Sequence, residues 1–304
     1  LKVTKPSKVT LFWDEVLIDG RLKERRQPHM NMSLELAPGD YLFETFEPYT
    51  LMHLKLSVEE GDCSLQSVAV RQYVNADTER ASFTTDDEEV NRIFRAAVET
   101  YRQNAVDYFM DCPERERAGW LCDSYFTARA AYCLSGNTAV EHNFLENFLL
   151  PEKFHNIPEG MLPMCYPSDH RDGNFIPNWA MWFIMELNEY VDRSADYEMV
   201  AALKPRVLGL LKYFEEYKNE DGLLEDRNKW VFIEWSEANS YTDGVNYPTN
   251  MLYAKVLELT GRLYSMTDYV EEAERIREVI RRQAFVEGFF RDNAIRHDGK
   301  LVVQ

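Results

Sequence analysis

The hydrophobic period of this chain changes once, near residue 80, and that change restricts it to a β region followed by an α region. Before the change the period is two. Leu54, Leu56 and Val58 alternate with Lys55 and Ser57, and Val68 and Val70 follow in the same manner, as half-buried strands do. Asp19-Gly20 falls between Glu15–Ile18 and Arg21-Leu22, a hairpin signal because both turn positions take positive φ. Pro38-Gly39-Asp40 and Glu60-Gly61-Asp62 predict further turns. About five strands are visible where a free-standing sandwich has about seven. Residues 1–80 are therefore expected to form a β-sandwich segment, partial as it stands.

After the change the period is helical. Thr85 with Glu88 predicts a capping box, and Val90, Ile93, Phe94, Ala97 and Tyr101 recur on one helix face. Further helices are expected at roughly 119–135, 138–150, 177–193, 196–218, 247–266 and 268–286, with Leu252, Val256, Leu259 and Leu263 as a clear apolar stripe. About seven helices and no strand alternation follow Asp86, so residues 81–304 are expected to be all α. Two connections, roughly 151–176 and 219–246, are long for a compact helical domain, and loops of that size are often functional. Both mix aromatics with carboxylates.

Composition excludes several partners. Lys plus Arg is 34 against 52 for Asp plus Glu, a formal charge of −18; such a surface repels phosphate backbones, so nucleic acid is not an expected partner. No apolar run reaches the ~18 residues of a membrane span. Cys63, Cys112, Cys122, Cys133 and Cys165 are irregularly spaced and form no C-x-x-C pair, which predicts free thiols, not a disulfide frame or a zinc site. The histidines lack spaced metal partners, and Asp169–Asn174 lacks the EF-hand spacing; no metal or organic cofactor is expected. The chain begins at Leu1 with neither initiator Met nor signal peptide, as a processed or excised piece would.

The densest chemistry lies in Asp111-Cys112-Pro113-Glu114-Arg115-Glu116-Arg117-Ala118-Gly119-Trp120-Leu121-Cys122-Asp123, between the first two helices. A solvated turn, with Arg115 and Arg117 neutralising their neighbours, is the plain reading. Against it stand the interleaved Pro, Gly, Cys and Trp, which are not surface fillers, and the Trp and carboxylate residues of the later loops. Carboxylates beside indoles suit sugar chemistry. Glycosidic cleavage needs one acid to protonate the leaving oxygen and a second carboxylate to assist water or attack carbon; other carboxylates bind ring hydroxyls, and indole faces cover the apolar side of a pyranose.

The pattern Asp111-Cys-Pro-x-Arg-Glu116-Arg-x-Gly-Trp120-x-x-Asp123 closely resembles the signature of the α-L-rhamnosidases of glycoside hydrolase family 78. Tyr166-Pro-Ser-Asp169 with Ile176-Pro177-Asn178-Trp179 is similar to that family's next active-site loop, and the resemblance extends from about residue 40 to the end. It implies an (α/α)6 barrel after the β region, an inverting mechanism and rhamnosides as substrates. It further implies Glu116 as general acid, Asp111 and Asp123 as ligands of sugar hydroxyls, Arg115 as an orienting group and Trp120 as an apolar wall. Asp169, Trp179, Glu234 and Trp235 are expected substrate contacts.

The chain departs from the family pattern at Leu121-Cys122, at Asn178, where Asp is common, and at Glu234-Trp235, where Asp-Trp is common. These differences bear on the sugar more than on the reaction class. A six-hairpin barrel needs about twelve helices, so the barrel is expected to be incomplete here and the general base to lie beyond Gln304; Glu234 and Glu237 are the substitutes within the chain. Two alternatives stay open: a related α-barrel glycosidase for another sugar, and a carbohydrate-binding module without catalysis. Enzymes of this type are often exported, which makes a periplasmic or secreted location the expectation.

Overall fold

The computed structural model describes residues 1–22, 30–168, 170, 172–225 and 230–304. The chain divides into two compact units, Leu1–Val74 with Cys112–Arg117, and Asn75–Asp111 with Ala118–Gln304.

The first unit is built on β1 (Lys2–Asp14), which pairs antiparallel with β2 (Asn31–Leu36), β3 (Gly39–Asp40) and β4 (His53–Ser64). Val3, Val9 and Trp13 of β1 are buried at odd positions, as the two-residue pleat requires, and the Trp13 ring lies 4.5 Å from that of Tyr49. The predicted Asp19-Gly20 turn forms, with Ile18 and Arg21 exchanging backbone hydrogen bonds of 2.9 and 3.1 Å. The turn predicted at Glu60-Gly61-Asp62 does not: β4 runs through it. Gly61 has φ +87°, and a Cβ there would lie 2.3 Å from both the Pro6 carbonyl and Ser7 Oγ. Ser7 Oγ accepts from Asp62 N at 2.9 Å. The glycine therefore marks a register shift opposite Pro6-Ser7, where close backbone approach forbids a side chain. Val68 and Val70 are exposed and outside any strand; their alternation finds no partner strand. One four-stranded sheet is what the described residues of this unit form.

The second unit holds the seven expected helices: α1 (Glu88–Asn104), α2 (Asp123–Ser135), α3 (Ala139–Asn147), α4 (Pro177–Ser194), α5 (Tyr197–Glu215), α6 (Tyr247–Tyr264) and α7 (Thr267–Ala284). The cap of α1 is Asp87, whose carboxylate accepts from Glu89 N and Val90 N; Thr85, the predicted cap, instead bonds Asp87 through its hydroxyl. Pro177 opens α4 at a position where its missing N–H costs nothing. Asn246 caps α6, accepting from Thr249 N at 3.0 Å. Helix α4 packs on α2, α5 and α6, and α7 packs on α6. Phe144, Phe148, Phe183, Leu187, Phe214 and Tyr253 are fully buried, each contributing about 1.5–3 kcal/mol over exposure. Among the described residues the helices do not close into a barrel.

Strands follow Asp86 after all. β5 (Val245–Asn246), β8 (Asn293–His297) and β9 (Lys300–Val303) make a small antiparallel sheet, and β6 (Phe285–Val286) pairs with β7 (Phe289–Phe290). The predicted last helix therefore stops two residues early. No helix among the described residues is long and apolar enough to cross a membrane.

A carboxyl is buried in the helical core. Glu186 of α4 is fully buried and accepts from Ser124 of α2 through Oε2, while Oε1 has no hydrogen-bond partner among the described residues. Burial, reinforced by the nearby Glu141, pushes its pKa well above the usual carboxylate range; the Ser124 bond and Arg193 oppose this. The folded state thus keeps a proton that the unfolded chain releases near pH 4.5. The associated stability is complete below that pH and is lost as pH rises toward the folded pKa. Glu186→Gln, which cannot ionise, should raise Tm at pH 8 by a few degrees, at ~2–4 °C per kcal/mol for a chain of this size. The gain should shrink toward zero near pH 4, and calorimetric scans across that range will check it.

Candidate active site

Two long loops and one short connection carry the expected site residues, and backbone pairing positions them. Before α2, residues 119–121 lie antiparallel to 164–167. Gly119 N donates to the Pro167 carbonyl at 3.1 Å, Tyr166 N to Gly119 at 2.8 Å and Leu121 N to Met164 at 2.9 Å. Gly119 is required here, since a Cβ would lie 2.4 Å from the Tyr166 carbonyl oxygen. Beneath this pairing Ala118, Met164, Cys165, Ile176 and Phe232 are buried together, with Trp120 and Trp179 packed against them.

The aromatic residues converge on Phe232. Its ring lies 4.9 Å from Trp179, 4.9 Å from Trp235 and 5.7 Å from Trp230. Trp235 is 82 % exposed, so its indole is presented to solvent. Trp120 meets the edge of His170 at 5.7 Å. Three of the expected indoles, Trp120, Trp179 and Trp235, are thereby gathered around one small cluster. Trp230 and Phe232, aromatics of the second long loop, complete it.

Two expected carboxylates, Asp123 and Glu234, are exposed beside this cluster and act on one thiol. Cys122 stands at φ +74°, ψ −57°, just before α2. Its pKa is pushed up to about 12, by burial first and then by the negative charges of Asp123, Glu234 and Glu186. The thiol is therefore neutral at physiological pH, and its unusual backbone angle turns the chain into α2, which begins with Asp123. Asp111 engages the main chain instead. Its carboxylate accepts from Ala118 N at 3.0 Å while its own N–H donates to the Ala118 carbonyl at 3.1 Å. It closes the neck of the excursion 112–117.

That excursion belongs to the first unit. Arg117, with φ +48°, donates to Glu47 at 2.7 Å and to the Pro48 carbonyl at 2.8 Å, and stands over the Tyr49 ring. It is bound to residues about 70 positions away. Arg115 pairs with its neighbour, Glu116. Glu116 N donates to Cys112 Sγ at 3.4 Å, and the Glu116 side chain is 22 % exposed. Glu237 opens an exposed single-turn 3-10 helix. Asp169 lies outside the described residues.

A domain of helical hairpins whose loops gather indoles and carboxylates at the start of its helices has the build of a carbohydrate-active glycosidase. Residues 78–302 match the profile of the bacterial α-L-rhamnosidase six-hairpin glycosidase domain, and the chain belongs to that family. No curated protein matches the chain. Among solved structures it is similar to the family 78 rhamnosidase of Bacillus sp. GL1, with a TM-score of 0.83 at 20 % identity, covering 99 % of this chain and 32 % of that one. It is also similar to a rhamnosidase from Klebsiella oxytoca with rhamnose bound (TM-score 0.70, 17 % identity, 96 % and 60 % covered). A third is the Streptomyces avermitilis α-L-rhamnosidase complexed with L-rhamnose (TM-score 0.70, 18 % identity, 94 % and 28 % covered). At these identities the likeness is one of fold. The chain spans about a third of the first of these structures and three fifths of the second.

The pairing of 119–121 with 164–167 generates a test. Gly119→Ala should cost about 1–3 kcal/mol, the range for forcing an extra methyl into packed structure, because the obstacle is backbone. Urea denaturation followed by tryptophan fluorescence will measure it.

Proposed function

We propose that this protein is an α-L-rhamnosidase that removes terminal rhamnose from glycosides or polysaccharide with inversion. The observation that carries the reading is the gathering of Trp120, Trp179 and Trp235 around Phe232 next to the exposed Asp123 and Glu234. Indoles offer apolar faces to the C–H side of a sugar ring, and carboxylates accept strong hydrogen bonds from its hydroxyls. Rhamnose, a deoxy sugar, has an apolar methyl that suits such a lining.

In this reading Glu116 is the general acid: it takes up a proton before substrate is cleaved and gives it to the departing glycosidic oxygen, while Arg115, which contacts it in the structure, orients it. Water then attacks the anomeric carbon from the opposite face, activated by a carboxylate about 6.5–9.5 Å from the acid in an inverting enzyme. No base is assigned within this chain. Asp123, Asp169 and Glu234 bind hydroxyls, and Trp120, Trp179 and Trp235 line the sugar. Asp111, proposed as a further sugar ligand, also holds the neck of the loop that carries Glu116.

Hydrolysis of aryl and alkyl rhamnosides, beside calorimetry with L-rhamnose, tests the reading. Glu116→Gln should lower turnover of the poor-leaving-group alkyl rhamnoside by about 10²–10⁴-fold, the usual worth of general acid catalysis, and leave rhamnose affinity nearly unchanged. Wild-type turnover in that variant would overturn the acid assignment. Rhamnose binding by the wild-type protein without hydrolysis would favour a sugar-binding module.

A further inference from the structure

Two buried asparagines near the starts of α4 and α6 make the same contact. Asn250 Oδ1 accepts from Leu224 N at 2.7 Å, and its Nδ2 donates to the Leu224 carbonyl at 3.0 Å. Asn178 Oδ1 accepts from Phe232 N at 3.4 Å, and its Nδ2 donates to the Phe232 carbonyl at 2.5 Å. Each side-chain amide imitates the peptide of a neighbouring strand and satisfies both backbone groups of one residue. Leu224 and Phe232 stand on either side of residues 225–231 in the second long loop.

Three residues past Phe232 the chain reaches Trp235. Between them, Asn239 Oδ1 accepts from Ile233 N at 2.8 Å and from Glu234 N at 3.4 Å. Asn178 is 4 % exposed and immediately precedes Trp179, whose ring packs on Phe232. One amide therefore ties the start of α4 to the segment bearing Glu234 and Trp235. Only an amide can do so: a carboxylate has no donor for the Phe232 carbonyl, and an aliphatic side chain leaves both buried backbone groups unpaired.

We propose that Asn178 is a positioning residue of the sugar site, its two-point grip on Phe232 holding Glu234 and Trp235 in the arrangement that binds sugar. The proposal rests on the assignment of Glu234 and Trp235 as sugar contacts. Amide hydrogen exchange and calorimetry with L-rhamnose, on the wild-type chain, Asn178→Asp and Asn250→Asp, test it. In Asn178→Asp, amides of Ile233–Trp235 should exchange about tenfold faster or more while those within α4 and α6 keep their protection, and rhamnose affinity should fall by about tenfold or more. Asn250→Asp should speed exchange at Leu224 and change affinity less. Should the added carboxylate prevent folding, Asn178→Ala removes both bonds without a charge and is read the same way. Unchanged local exchange, or wild-type affinity, in the Asn178 variant that folds overturns the proposal. A wild-type chain that binds no rhamnose overturns the functional reading itself, an outcome recognised without any variant.

Discussion

The antiparallel contact between residues 119–121 and 164–167 is the constraint on which the rest of the helical site depends. Backbone hydrogen bonds build it, and at Gly119 the Tyr166 carbonyl occupies the space of a Cβ. Because Leu121 is paired and Cys122 takes a positive φ, α2 begins at Asp123 and nowhere else. The same contact brings Ala118 and Cys165 together as the floor on which Trp120, Trp179 and Phe232 stand. Main-chain geometry sets the positions, and side chains supply the chemistry.

Electrostatics in this region follow from burial. A chain with a net charge of −18 places most carboxylates in water, where they cost little. Those drawn inward are handled in two ways. Glu141, buried in α3, is ion-paired with Arg193, which also reaches Glu189; the Arg129 bond, above all, holds Glu189 down at about 2. Glu186 lies deeper, with Ser124 as its hydrogen-bond partner among the described residues, and burial raises its pKa well above the usual carboxylate range, favouring the neutral acid. Ionic pairing and protonation are the two means by which a folded chain accepts a carboxyl out of water.

Helices such as α1, α4, α5 and α6 were legible because apolar positions recur at helical spacing and Pro, Asp or Asn stands at the start. The 13-residue motif was legible because Pro, Gly and Trp interrupt a charge run. What escaped is non-local. Glu60-Gly61-Asp62 has the composition of a turn, and only contact with Pro6 and Ser7 makes it part of a strand. Arg117 reads as serving its neighbours, and its bonds to Glu47 and Pro48 have no local signature. Asn178 stood out merely as a departure from the family's Asp, and its grip on Phe232, 54 residues on, has no local signature. By contrast, Asp298-Gly299, the same dipeptide as Asp19-Gly20, turns the β8–β9 hairpin with φ of 48° and 80° and was open to recognition.

The membership of residues 112–117 has an evolutionary consequence. The polypeptide leaves the helical unit after Asp111, contributes six residues to the sheet-bearing unit and returns at Ala118. The backbone thus passes between the units twice within a short stretch. Recombination could not swap the N-terminal sheet for an unrelated module without stripping Arg117 of Glu47, Pro48 and Tyr49. Descent should therefore transmit the two as an indivisible pair.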